Sequence, residues 1–241
     1  MSNFLILFKG EVERIKKYNI LTASFLVSFI WIGILYFMDK NAAEEMFPFF
    51  IFLDATSMSM LLVGVTLFFE KQEGTIKSLL VSPVGKIEYI LAKVFSNIFI
   101  NTISLVIVLF YAKVFKDINI NIIMLFLAVL LISLFHSLLG LILTFYSKDF
   151  TNLLIGVMKY AFIFMLPIVF EQIGIIKSDI INNVFYVLPT KASMMLLNAS
   201  TGGVETLEIC VSFGNLIVFS ILLYFIVLKK FDQFAIRESG V

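Results

Sequence analysis

The sequence predicts an all-α integral membrane protein with six transmembrane helices. Of its 241 residues, 61% are hydrophobic and 15% are charged, whereas soluble domains are nearer half apolar and a quarter charged. Six stretches are apolar over the roughly 20 residues that a helix needs to cross the bilayer. They lack the alternating pattern of barrel strands, so helices are the expected spanning structure. The stretches are Ile20–Met38, Phe47–Phe69, Val94–Ala112, Ile122–Tyr146, Phe150–Phe170 and Ile209–Leu228.

The charge and cysteine content exclude several other classes of protein. The net charge is +1, so no basic surface for nucleic acid is expected. The single cysteine, Cys210, lies in an apolar run and forms neither an intramolecular disulfide nor a multi-cysteine metal site. The sequence has no G-x-x-x-x-G-K-[ST] phosphate loop. Any ATP that drives this protein must therefore bind to another chain.

Residues 1–18 are expected to form an amphipathic helix on the membrane surface. A short apolar run precedes the charges, which is the reverse of a cleavable signal sequence. Apolar residues at helical spacing can enter the bilayer while basic residues meet anionic headgroups; a solvated basic leader is the alternative. The apolar face contains Phe4, Leu5, Phe8, Val12 and Ile15, and the basic residues are Lys9, Arg14, Lys16 and Lys17.

The distribution of basic residues predicts that both termini are cytoplasmic. With the N-terminus inside, twelve Lys and Arg residues lie in the cytoplasmic parts and five in the outer parts. Cytoplasmic loops carry the excess of basic residues in membrane proteins. The chain is therefore expected to be a multi-pass membrane protein surrounded by membrane lipids. Its expected location is the bacterial plasma membrane.

Two charged residues, Asp54 and Lys159, lie within the predicted spans, and Glu171 lies at the outer end of the fifth span. Ionisable residues inside a span are candidate transport sites. Asp54 lies about 10 Å into the second span from outside, and Lys159 about 13 Å into the fifth from inside. An ion pair between them requires a shifted or tilted helix; the alternative is that Lys159 snorkels to the interface. Glu171, at the outer end of the fifth span, is either a gate residue or an interfacial carboxylate. If these residues act together, the chain would be an ion- or proton-coupled carrier that works without an ATPase. This is one of two functions that the sequence leaves open.

The only histidine, His136, lies in the fourth span between Ser133 and Ser137. An intramembrane hydrolase would need a serine nucleophile and a base held together by geometry. The G-x-S-x-G pattern is absent, so a structural or cavity-lining histidine is favoured. Glu44 and Glu45 are not accompanied by the histidine cluster of a metalloprotease.

The outer segment 171–208 contains the apolar stretch VFYVLPTKASMMLL around Pro189. This stretch is too apolar for a free loop and too short and interrupted for another span. It predicts a re-entrant or interfacial pair of short helices shielded by protein. A loop helix lying on the membrane surface is the alternative.

The cytoplasmic stretch 70–93 predicts a short helix after the second span. Gly74 permits a sharp exit from the membrane helix, and Thr75 is a candidate N-cap for a helix that continues to about Val81. Pro83 ends this helix, because proline disfavours the helical conformation of the preceding residue. The helix has a small apolar face that something must bury. That face contains Ile76, Leu79 and Leu80.

This stretch resembles the segment between the second and third spans of ABC-2 type exporter permeases. The family pattern has an acidic residue, E-x-G-T, an aliphatic pair, S-P and a distant lysine. The six spans, the N-terminal helix and the short outer helices are similar to that family as well. The matching residues are Glu70, Glu73, Gly74, Thr75, Leu79, Leu80, Ser82, Pro83 and Lys93.

The resemblance implies a half-transporter. Two six-span subunits, identical or related, would enclose a cavity, and one ATP-binding subunit carrying ATP and Mg would dock beneath each. The short helix would be the coupling helix in a groove of that ATPase. This chain itself would bind no cofactor or metal and would not be an enzyme. The implied coupling interface contains Glu70, Lys71, Glu73, Gly74, Thr75, Ile76, Leu79, Leu80 and Pro83.

The resemblance also implies a pathway and a cargo. In the family, the second and fifth spans line the pathway, so its candidate residues here are Asp54, Met58, Lys159 and Glu171. The cargo would be hydrophobic or amphipathic, either a drug or an antimicrobial or cytolytic peptide, and would leave the cell. Residues 1–241 would form a single ABC-2 type transmembrane domain.

Overall fold

The protein is built from helices, as expected. A computed structural model describes residues 3–80, 82, 84–176 and 184–239, and this part of the chain contains no strand. A π-helical segment, Ala161–Met165, joins two of the α-helices. The α-helices are α1 (Asn3–Lys17), α2 (Ile20–Phe37), α3 (Lys40–Gln72), α4 (Thr75–Leu80), α5 (Lys86–Phe115), α6 (Ile122–Tyr146), α7 (Phe150–Tyr160), α8 (Leu166–Gln172), α9 (Pro189–Thr201) and α10 (Thr206–Ser239).

Within the described residues, six helical segments are long and apolar enough to cross a membrane, which agrees with the predicted number. They are α2, α3, α5, α6, the continuous segment Phe150–Gln172, and α10. The predicted bounds of α3 were too narrow because its polar ends also form helix. The α3 helix begins at Lys40, where the Asp39 side chain accepts a hydrogen bond from the Ala42 amide at 2.9 Å. Hydropathy alone detects the apolar centre of a span and not these capped polar ends.

The α3 helix lies at the centre of the bundle. In its apolar window, 72% of residues are buried, against 22% for α2, Phe150–Gln172 and α10. Close packing of α3 on α6 depends on Gly140, where an added Cβ would lie 2.7 Å from the Met60 Cα and carbonyl oxygen. Small residues permit such close approach between membrane helices.

The fifth span is not a uniform α-helix. Pro167 has no amide hydrogen and cannot donate to the carbonyl of Ile163 four residues earlier. The π-helical segment Ala161–Met165 contains that carbonyl. Prolines and π-bulges are common causes of such irregularity within helices. The sequence prediction treated this span as regular and missed the change.

The α1 helix packs against the spans through its aromatic residues. The ring of Phe4 meets that of Phe95 edge-to-face at 5.9 Å, and the ring of Phe8 meets that of Phe99 at 6.2 Å. Leu5 stays exposed. Part of the apolar face assigned to lipid therefore lies against α5.

The α9 helix, which lies in the segment predicted to be on the outer side, is largely buried. Leu196 and Leu197 are fully buried, and α9 packs against α3, α6 and α10. Its first turn is tied to the fifth span, because the Thr190 hydroxyl donates to the Phe164 carbonyl at 2.7 Å. The prediction was a pair of short helices turning near Pro189, and one helix, α9, begins at Pro189 and is surrounded by protein. Residues 177–183 of the predicted segment lie outside the described residues.

Candidate functional site

The chain leaves the end of α3 through Gly74 and enters α4. Gly74 has a φ of +70°, in the left-handed region that glycine adopts without steric cost. The Thr75 hydroxyl donates to the Glu70 carbonyl at 3.0 Å and so binds the start of α4 back to α3. The observed helix Thr75–Leu80 matches the predicted helix as far as Leu80, one residue before the predicted end at about Val81. Val81 and Pro83 lie outside the described residues, as do the side chains of Leu79 and Leu80.

A buried charge cluster lies directly beside this exit. We use that name for Glu11 and Arg14 of α1, Glu70 of α3, and Tyr89 and Lys93 of α5. The Lys93 ammonium lies 2.8 Å from the Glu70 carboxylate and 3.1 Å from the Glu11 carboxylate. The Arg14 guanidinium donates to Glu11 at 2.7 Å and also to Glu70, and the Tyr89 hydroxyl donates to Glu70. Three helices distant in sequence therefore meet in one ionic network.

The cluster is electrically balanced, with two carboxylates and two cations. The Lys93 side chain is fully buried and that of Glu70 is 3% exposed, so both charges have been taken out of water. Burial raises the pKa of the Glu11 carboxyl, an effect that the Lys93 ammonium opposes and the Glu70 carboxylate increases. Removing one partner of such a network leaves an uncompensated buried charge. The network consequently holds α1, α3 and α5 in one arrangement.

A second set of contacts binds the end of α3 to the junction of α1 and α2. The Lys17 ammonium lies 2.7 Å from the Glu73 carboxylate, which also accepts a hydrogen bond from the Tyr18 hydroxyl. The Tyr18 ring stacks on Phe69 with 3.9 Å between centroids. These contacts are more exposed than the buried charge cluster. They hold the residues just before α4 at the protein surface.

Ile76 anchors α4 to the last helix of the chain. Its side chain is 2% exposed and belongs to an apolar cluster with Phe231, Phe234 and Ala235 of α10. A recess of about 270 Å³ lies between α1 and α4, with Glu11, Arg14 and Ile76 among its lining residues. The short helix is therefore supported by α10 on one side and borders an open recess on the other.

Several residues that were predicted to contact an ATP-binding subunit contact other parts of this chain instead. Glu70 and Ile76, expected to contact an ATPase, are buried inside this chain. Glu73 is partly exposed but paired with Lys17, and the Lys71 ammonium donates to the Lys148 carbonyl at 3.4 Å. The sequence predicted the short helix, but it did not predict that Glu70 and Ile76 pack against other helices of the same chain.

Asp54 does not meet Lys159. The Asp54 carboxylate is buried and accepts hydrogen bonds at 3.2 Å from both the Trp31 indole and the Ser104 hydroxyl. Ser104 in turn shares a hydrogen bond of 2.6 Å with Ser28. Lys159 is exposed on α7. The ion pair that the sequence left open is therefore not formed.

Neither of the two other pathway candidates is bonded to the Asp54 carboxylate, although Met58 lies one turn after Asp54 on α3. Glu171 forms an ion pair with Lys191 of α9, and both side chains are nearly buried. Met58 is half-buried and packs against an apolar cluster that includes Ile15 and Ile20. The residues proposed for an ion-coupled relay thus lie in distinct surroundings, which does not support that alternative.

The sequence reasoning missed a polar network between α3, α5 and α6. Asn97 donates to the Ser59 carbonyl at 2.8 Å and to the Ser137 hydroxyl at 2.7 Å. Asn101 donates to the Ser59 hydroxyl at 2.7 Å and to the Ser133 hydroxyl at 3.3 Å. Two asparagines four residues apart in an apolar span were the available signal, because this spacing places them on one helix face.

His136 does not contact either neighbouring serine through a described hydrogen bond. Its Nδ1 lies 2.8 Å from the Ile132 carbonyl, and its Nε2 lies 3.2 Å from the Tyr160 hydroxyl. The side chain is completely buried. These contacts join α6 to α7 and fit the structural histidine that the sequence favoured over a hydrolase base.

The fold and these contacts define a polytopic α-helical membrane protein whose helices are joined by buried polar networks. The model of the fluoroquinolones export permease protein family matches residues 3–239, and the chain belongs to this family. It is similar to fluoroquinolones export permease proteins from two strains of Mycobacterium tuberculosis. Each is 25% identical over 204 residues, covering 83% of this chain and 81% of the relative. The prediction of an export permease is confirmed, and these findings are consistent with the ABC-2 type resemblance.

Proposed function

We propose that this chain is the membrane-spanning subunit of an ATP-driven drug exporter, with α4 as its coupling helix. A separate ATP-binding subunit, carrying ATP and Mg, would dock on α4 from the cytoplasm. The observation that carries the proposal is the way α4 is anchored. It follows Gly74 directly after α3, borders the buried charge cluster, and packs through Ile76 on α10.

This anchoring gives a physical account of how force would reach the membrane helices. A displacement of α4 acts on α3 through the Thr75–Glu70 hydrogen bond and on α10 through Ile76. The buried charge cluster then passes the displacement to α1 and α5, because its charges cannot separate without losing their compensation. ATP binding in the partner would thereby bias the arrangement of the spans, as a ligand shifts a two-state equilibrium.

The cargo we propose is a drug with an aromatic, amphipathic body. The relatives are named for the export of fluoroquinolones, which supports a drug more directly than the peptide cargo considered from sequence. Apolar and aromatic residues line ligand pockets in general, with a few polar groups that fix orientation. Export would be outward across the bacterial plasma membrane, with both termini in the cytoplasm.

We further propose that two such subunits enclose the pathway. The α2 helix, the fifth span and α10 are mostly unburied within one chain. Their apolar outer faces include Phe29, Phe162 and Phe225, all more than half exposed. Such faces must contact either lipid or another subunit, and a second copy or a related chain would cover part of them.

Cysteine cross-linking tests the docking site. Ser78 is exposed on α4, so a Ser78→Cys variant in a Cys210→Ser background places one thiol on the proposed surface. With the ATP-binding subunit present, a short thiol–amine cross-linker should join the two chains at Ser78→Cys. The matched control is Glu205→Cys, because Glu205 is exposed on the predicted outer side. Equal cross-linking at both positions, or none at Ser78→Cys, would contradict the proposal.

A further inference from the structure

Lys159 stands apart from the other charged groups near the centre of the spans. It is exposed and lies nine residues beyond Phe150, the first residue of its span, roughly 13 Å along the helix. The structure gives its ammonium no hydrogen bond or ion pair with any residue in 3–80, 82, 84–176 or 184–239. Asp54, the acid nearest to mid-span, is buried and already bonded to Trp31 and Ser104. The Lys159 ammonium is therefore available to an external anion.

The surroundings of Lys159 on the helix surface are apolar. Ile155 lies one turn before it, and Phe162 and Ile163 lie one turn after it; all three are exposed. Residues three and four apart share a helix face, so the lysine is a single positive charge on an apolar stripe. The complement of such a stripe is an apolar molecule with one negative group.

A recess begins where this stripe meets the π-helical segment. It has a volume of about 220 Å³ and lies between α3 and the fifth span, lined by Leu53, Ser57, Ala161, Phe162 and Met165 among others. Phe162 belongs to both the stripe and the recess. Pockets for whole drug-sized ligands measure roughly 300–1,000 Å³, so the recess has room for one end of such a molecule. Ser57 supplies a hydroxyl among otherwise apolar walls.

We propose that the stripe and the recess form a cargo-binding site for amphipathic molecules that carry an anionic group, with Lys159 as the residue that recognises the anion. The apolar end of the cargo occupies the recess and packs on Phe162. Its carboxylate or phosphate accepts a hydrogen bond from the Lys159 ammonium. Side chains of an α-helix tilt toward its N-terminus, which brings the ammonium nearer to the Phe150 end of the span. The inference rests on the proposed export function and adds the charge of the cargo.

Equilibrium binding to the purified chain in nanodiscs of zwitterionic lipid tests this site without ATP. The probes are a fluorescent quinolone carboxylic acid and its methyl ester, which share one ring system and differ in charge. Lys159→Gln should weaken binding of the acid about tenfold, as expected for the loss of one charge-assisted hydrogen bond. Lys159→Arg should retain it. Binding of the ester should be the same in all three proteins.

The matched control is Lys148→Gln, which removes an exposed lysine just before the same span and should leave both affinities unchanged. Equal weakening of acid and ester, or an unchanged affinity for the acid, would overturn the assignment. A second arm adds an anionic phospholipid to the nanodiscs. If that lipid associates in a Lys159-dependent manner while the acid does not bind, the ammonium recognises a lipid headgroup and the cargo assignment fails.

Export measurements separate this inference from the proposed function. The assay uses cells that contain both the chain and its ATP-binding subunit. Export of the acid that is ATP-dependent but unaffected by Lys159→Gln would overturn the inference and leave the exporter intact. Lys159-dependent binding of the acid without any ATP-dependent export would overturn the exporter and leave the site.

Discussion

The buried charge cluster makes the strongest prediction about stability. Replacing Lys93 by methionine keeps most of the side-chain volume but removes the cation that lies 2.8 Å from Glu70 and 3.1 Å from Glu11. One guanidinium, Arg14, then faces two carboxylates in surroundings where Glu70 is 3% exposed. Breaking a buried ion pair from one side costs about 3–5 kcal/mol. We expect Lys93→Met to lower the free energy of unfolding by this amount.

The assay is reversible unfolding of the purified chain in mixed micelles with increasing denaturing detergent, followed by the loss of helical circular dichroism. A double-mutant cycle with Glu70→Gln isolates the pair, because the double variant removes one positive and one negative charge together. Directly interacting residues give coupling energies of about 0.5–3 kcal/mol. We expect the double variant to be more stable than the sum of the single losses by about 2 kcal/mol, near the middle of that range.

Two results would refute this reasoning. One is a cycle that is additive within about 0.5 kcal/mol, the behaviour of sites that do not interact. The other is a Lys93→Met loss no larger than that of Lys17→Ala. The Lys17–Glu73 pair is a matched control at the same end of α3, because its side chains are 65% and 34% exposed. Exposed pairs contribute about 0–1 kcal/mol.

Three further predictions concern single positions. Gly140→Ala should lower the free energy of unfolding by about 1–3 kcal/mol in the same assay, because its Cβ would meet the Met60 backbone at 2.7 Å. Gly74→Ala should cost about 1–2 kcal/mol from its left-handed φ and should reduce ATP-driven export more than cargo binding. The Tyr186 hydroxyl should titrate at about 12, because it donates to the Glu208 carboxylate and burial adds to the rise in its pKa. Glu208→Gln should bring that midpoint back toward 10, as followed by NMR of labelled tyrosine.

Each of these has a control in the same chain. Gly33→Ala should be nearly neutral, because nothing lies within 4 Å of the added Cβ; equal losses at Gly33 and Gly140 would contradict the packing argument. Gly74→Asn should be tolerated better than Gly74→Ala, since asparagine visits the left-handed region more readily. A Tyr186 midpoint that Glu208→Gln does not move would show that the carboxylate is not its cause.

The features that the sequence predicted depend on local rules. The six spans follow from the length of apolar stretches, and the turn into α4 follows from Gly74. Hydropathy also identified the apolar stretch that contains α9. In each case a window of about twenty residues or fewer contains the whole signal, because helix length and backbone conformation are decided within it.

The features that the sequence did not predict depend on long-range pairing. Glu70 was assigned to the interface with the ATP-binding subunit because it matches the acidic residue of the family pattern, but Arg14 and Lys93 reach it from other helices. Ile76 was assigned to the ATP-binding subunit because the apolar face of the short helix must be buried and the resemblance implies a groove for it; in the structure Ile76 packs in a cluster with residues of α10. Pairs separated by tens of residues leave no periodic trace in a single sequence.

The contact between Ile76 and α10 can form only late in synthesis, after α10 has been made. Ribosomes release the N-terminal part first, so α4 is made while Phe231, Phe234 and Ala235 are still to be synthesised. A chain cut off after Lys230 retains all six predicted spans but lacks the residues of α10 that pack in one apolar cluster with Ile76. The surface proposed to receive the ATP-binding subunit therefore becomes complete only when the last helix is in place, and a truncated chain would present a defective docking surface to its partner.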